Sequence, residues 1–106
     1  MQINNVKTIT GLSRLPGRVY VYFPTEELAK QFMQQAEAES FTFGDGVKPT
    51  ERHATTVMAV NPNRTINYVG AIGHMAFGAG VETVGRCPLI RMTYLGNRSV
   101  PYEGTV

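Results

Sequence analysis

The chain has 106 residues, 42% of them hydrophobic and 17% charged, with a formal net charge of +2. That suffices for one core, and it excludes both a charged disordered segment and two independently folding domains. The one cysteine, Cys87, excludes an intrachain disulfide and a cysteine-based zinc site, and +2 is too small to argue for nucleic acid by itself.

Residues 1–17 read as an N-terminal arm. Val6, Thr8 and Thr10 alternate within an edge strand proposed over residues 3–10. No basic stretch followed by an apolar run opens the chain, so no signal peptide is expected. The longest apolar run, Val19 to Phe23, is five residues, far short of a membrane span. With a lone thiol, the expected setting is reducing and cytoplasmic.

The globular domain is expected over residues 18–94. Its first strand is Arg18 to Phe23, with Val19, Val21 and Phe23 on one face and Tyr20 and Tyr22 on the other. Pro24-Thr25 then starts a helix. Thr25 suits the N-cap, and Glu26 and Glu27 suit the positive end of the helix dipole. Leu28, Phe32 and Ala36, flanked by Ala29 and Met33, form the buried stripe. The opposite stripe of Glu27, Lys30, Gln34 and Glu37 reads as a solvent face, and the helix should fade at Glu39-Ser40.

Phe41-Thr42-Phe43 reads as a short strand or an aromatic tether, followed by a Gly44-Asp45-Gly46 turn. Thr55 to Val60 and Thr65 to Val69 form a β-hairpin around Asn61-Pro62-Asn63-Arg64. Ile72 to Phe77 lies between glycines and reads as a helical turn or a loop. Leu89 to Tyr94 is the last expected strand. Residues 95–106 form a tail, either mobile or reaching to another chain. The predicted class is α+β: a mostly antiparallel sheet of about four or five strands with one main helix on one face. The tyrosine face of that sheet lacks a cover in the sequence, so it is open, binds a ligand, or is closed by a second protomer.

No arrangement demands an enzyme. The serines lack a nucleophile-elbow context, and the paired glutamates fall on the solvent stripe. No catalytic residue, no metal site and no cofactor are expected. The candidate ligand-binding residues are Lys48, Arg52, His53, His74, Tyr20 and Tyr22. Lys48 follows the glycine-rich turn, whose backbone N–H groups can face an anion, although the P-loop spacing is absent. Arg52 suits a phosphate, because seven of the ten basic residues are arginine and the guanidinium fork matches planar oxyanions. His53 and His74 can hydrogen-bond a base or ribose. Tyr20 and Tyr22, with Tyr68, Tyr94, Arg18 and Arg91, can build a stacking platform. Each feature also has a plainer reading: a tight Asp-Gly turn, a surface arginine, a core histidine bonded to a backbone carbonyl, strand-favouring tyrosines. Cys87 reads as a half-buried structural thiol.

The string Phe41-Thr42-Phe43-Gly44-Asp45-Gly46-Val47-Lys48-Pro49-Thr50-Glu51-Arg52, followed by Ile66-Asn67-Tyr68-Val69-Gly70 and Gly73-His74-Met75-Ala76-Phe77, resembles small uncharacterised proteins carried on phages and mobile elements of Gram-positive bacteria. The similarity spans roughly residues 18–94 and carries no catalytic residues with it. It implies an accessory protein that acts on host defence or regulation by binding. The first expectation is therefore a counter-defence protein that sequesters a nucleotide-type immune signal, with a small anionic ligand as partner. The alternatives are an inhibitor of a host defence protein such as a CRISPR nuclease, in which the acidic helix imitates nucleic-acid charge, and a small nucleotide-processing enzyme. No membrane partner is expected, and a homodimer or higher oligomer is.

Overall fold

Strict alternation places Val19, Val21 and Phe23 on one side of a central strand and Tyr20 and Tyr22 on the other, and both sides find partners. The computed structural model describes residues 5–103. The parts of the expected arm and edge strand at residues 1–4, and of the expected tail at residues 104–106, lie outside them. In chain order the elements are α1 (Ile9–Ser13), β1 (Arg18–Tyr22), α2 (Glu26–Ala38), β2 (Thr42–Phe43), a 3-10 turn (Pro49–Glu51), β3 (Val57–Val60), β4 (Thr65–Tyr68), α3 (Ala71–Ala79), β5 (Thr83–Val84), β6 (Cys87–Tyr94) and β7 (Ser99–Pro101).

The class is α+β, as expected, with a larger and more mixed sheet. Among the described residues, seven strands pair: six in the order β2-β4-β3-β1-β6-β5, with β7 also on β6. β1 is antiparallel to β3 and parallel to β6, and β2 is parallel to β4. The extra strands, β5 and β7, have two and three residues, too few for an alternation signal.

One sheet face carries the main core. Val19, Val21, Phe23, Met58, Val60, Ile66, Met92 and Tyr94 meet Phe32, Met33 and Ala36 of α2 and Ile9 and Leu12 of α1. α2 starts as its sequence predicts, with the Thr25 hydroxyl accepting from the Leu28 N–H. Its end is a Schellman arrangement: Ser40 takes a left-handed φ of 67°, and the Phe41 and Ser40 N–H groups bond Ala36 and Glu37 carbonyls. Tyr94 is buried here, its hydroxyl 2.6 Å from Gln35 Oε1 and 2.9 Å from the Gly96 carbonyl. Burial, with the nearby Glu39 carboxylate, pushes its phenol up to about 12.

From residue 5 on, the N-terminal arm is not peripheral. Val6 makes only a single bridge to Ser99, and the proposed edge strand gives way to α1, capped by the Thr8 hydroxyl. Ile9 and Leu12 are wholly buried. The tail is likewise tied down through Tyr102, with β7 on the edge of β6 and Tyr102 packed against Tyr22 and Phe77. Core packing therefore continues past both boundaries drawn at residues 17 and 94.

The second face of the sheet is covered from within the chain. Tyr20, Val57, Ala59 and Val69 are buried beneath Phe77 of α3, with Tyr22, Leu89 and Tyr102 at the margin. Arg91 fastens this cover: its Nη1 donates to the Phe77 carbonyl at 2.8 Å, and its guanidinium lies over the Phe77 and Tyr102 rings. A second protomer over the tyrosines is thus not needed.

Gly17, entering β1, sits against β6. A Cβ there would overlap the Pro88 carbonyl oxygen and crowd Ile90. Gly17→Ala is expected to cost about 1–3 kcal/mol, because the β1–β6 pair must part to admit the methyl. Urea unfolding of the variant measures it, and an unchanged midpoint would contradict this packing.

Candidate functional site

The helical periodicity of α2 leaves Glu26, Lys30, Gln34 and Glu37 on the side away from the sheet. That side does not simply face solvent. The Thr50 hydroxyl and N–H both donate to Glu37 Oε1, at 2.6 and 3.3 Å, and draw the 49–54 loop against the helix. These two bonds, the hydroxyl first, hold the Glu37 carboxyl below its ordinary value. A groove of about 610 Å³ results, within the size range of small-ligand sites. Its walls are Glu26, Lys30 and Gln34 from the helix and Thr50, Arg52 and His53 from the loop, over apolar Ala29, Met33 and Ala54.

Arg52 is held in place before any ligand arrives. Its Nη2 lies 2.6 Å from Asp45 Oδ2, and its guanidinium stacks 4.6 Å from the centre of the Phe43 ring. The bond from Arg52, helped by the Val47 N–H, keeps the Asp45 carboxyl low. Tyr68 packs on Phe43 as well and donates its hydroxyl to the His53 carbonyl at 2.8 Å. The His53 backbone is therefore anchored while its side chain is exposed at the groove. The glycine-rich turn proves to be a support for Arg52 more than a phosphate cradle. Asp45 closes it through the Val47 N–H, and Gly46 takes a φ of 87°.

The six predicted residues do not share one place. Arg52 and His53 meet in the groove, and Lys48 stands exposed on the strand-like segment leading into the loop. Tyr20 and Tyr22 lie beyond the sheet, under α3, with Tyr20 only 6% exposed. Tyr94 faces the other way, so the tyrosine stacking platform does not form. His74 is exposed on α3, not a core histidine, because Phe77 takes that helix's inward position. Cys87 is exposed too, since its end of β6 extends with β5 beyond the main sheet. Lys30, Gln34 and Glu26 were missed: their spacing is that of any solvated helix stripe, and only the loop's return makes it a wall.

Among the described residues, neither histidine side chain is hydrogen-bonded to a carboxylate, and no three His, Cys, Asp or Glu side chains converge as a metal set. No helix there is long and apolar enough to cross a membrane. No family model, no curated protein and no solved structure matches the chain.

Proposed function

We propose that this protein acts by binding, and that it holds a small nucleotide-type anion in the groove between α2 and the 49–54 loop. The observation that carries this reading is the preset Arg52 guanidinium, oriented by Asp45 and Phe43 beside His53 and Lys30. A guanidinium with one N–H bond satisfied keeps further donors for a phosphate, and its orientation is fixed beforehand. Two cations and two carboxylates, Glu26 and Glu51, line the groove. That balance leaves no excess positive charge, so recognition of a phosphate rests on the oriented donors of Arg52 and not on net charge. In the mobile-element setting implied by the resemblance, the ligand is a host immune signal and the protein a counter-defence factor in the host cytoplasm. Mimicry of nucleic acid by the acidic helix draws less support, because Glu37 and Glu39 are engaged by Thr50 and by α1.

Calorimetric titration with cyclic di- and trinucleotides and cyclic ADP-ribose isomers tests this function. At least one should bind, and Arg52→Ala should weaken it about 10- to 100-fold, the worth of a charged hydrogen bond or two. Far-ultraviolet circular dichroism of the variant should be unchanged. Silence across the panel, or full affinity in Arg52→Ala, would count against it.

A further inference from the structure

The two most exposed large apolar side chains among the described residues, Ile72 at 84% and Met75 at 72%, stand together on the outer side of α3. No Asp, Glu, Lys or Arg occurs from Gly70 to Val81. The exposed positions, 71 and 72, 74 and 75, then 78 and 79, follow helical spacing and form one stripe, with His74 at its flank. The stripe is graded: bulky Ile72 near its start, Met75 at its centre, small Gly78 and Ala79 at its end. A Cβ built on Gly78 meets nothing within 4 Å, so the small end is open.

We propose that this stripe is the contact surface for a second copy of the chain, with two α3 helices packed antiparallel across a two-fold axis at Met75. Each Ile72 then lies over the partner's Gly78 and Ala79, and the stripe is its own complement, as an isologous contact requires. Charge complementarity singles out this occupant. No side chain caps the first N–H groups of α3, which form the positive end of its dipole. Exposed Glu82 follows shortly after the other end. Antiparallel pairing brings each Glu82 carboxylate to the partner's uncapped helix start, twice by symmetry. An anionic surface would instead meet Glu82 with like charge. The two copies meet on the outside of α3, and the tyrosine face beneath stays closed.

Sedimentation velocity across roughly 1–100 µM tests this, a range that brackets micromolar association. The wild type should dimerise. Ile72→Glu, at an exposed position, should weaken dimerisation at least tenfold without altering the circular dichroism spectrum. Gly78→Ala discriminates more sharply. It should raise the melting temperature of dilute protein, where the methyl has room and favours helix, yet weaken the dimer by crowding the partner's Ile72. Met75→Cys on a Cys87→Ser background should cross-link to itself under mild oxidation. A wild type monomeric throughout, or a dimer indifferent to both Ile72→Glu and Gly78→Ala, would overturn the proposal. So would a monomer that uses this stripe only for a different protein.

Discussion

Phe32→Ala is expected to destabilise the protein by about 3–5 kcal/mol, enough to leave a small domain barely folded. Phe32 is fully buried in the middle of α2. Its ring lies 4.8 Å from that of Phe23 and meets Tyr94 edge-on at 5.3 Å, so it joins the helix to the residue that follows β1 and to β6. Truncation removes the ring's transfer energy and leaves a void that these large neighbours cannot refill without moving strands. The melting temperature should fall by roughly 15–25 °C. Phe32→Leu, which keeps most of the volume, should cost less than half as much. The groove depends on the same packing, since Lys30 and Gln34 ride on this helix. Urea unfolding followed by circular dichroism reads the effect, and a loss below about 1 kcal/mol would contradict the central place of this aromatic cluster.

Glu39→Ala should give the second-largest loss, about 2–3 kcal/mol. The carboxylate sits at the end of α2 and serves the start of α1, thirty residues earlier in the chain. It accepts from the Ile9 N–H at 3.1 Å, from the Thr10 N–H and hydroxyl at 2.7 Å each, and from Gln35 Nε2 at 2.8 Å. Arg64 adds a bond to the Glu39 carbonyl and one to the Thr10 hydroxyl, which helps to hold its own left-handed φ of 61°. Burial pushes the Glu39 carboxyl up, but the four hydrogen bonds together outweigh it and hold it below the ordinary 4.5. A carboxyl lowered by folding contributes its full stability above that ordinary value and loses it as pH falls through the folded value. Wild-type stability should therefore drop on acidification below about pH 4.5 more steeply than that of Glu39→Ala. Unfolding midpoints at neutral and acidic pH measure the difference. Parallel curves would show that the cluster carries no linkage.

The elements legible in the sequence are those whose determinants are local. β1 shows in the alternation of Val19 to Phe23, α2 in the Thr25 cap and the Leu28-Phe32-Ala36 stripe, and the β3–β4 hairpin in Asn61-Pro62. α3 is obscure because it lacks a polar face and a side-chain cap, and its helix is defined by what Phe77 and Arg91 do across the sheet. α1 is hidden for a related reason: its carboxylate partner lies thirty residues away. The site divides along the same line. Arg52 and His53 stand out as a polar cluster, whereas Lys30 and Gln34 become walls only through the Glu37–Thr50 bonds. Tyr20 and Tyr22 stand uncovered in the sequence because nothing local marks residues 71–79 as their cover.

The most direct test of the binding account is a map of amide shifts in isotope-labelled protein as the nucleotide panel is added. Perturbations should concentrate at Lys30, Gln34, Thr50, Arg52 and His53, and spare Tyr20, Tyr22 and Ile72. Shifts confined to the α3 side, or none at millimolar ligand, where even affinities worth only about 4 kcal/mol register, would contradict a nucleotide site in this groove.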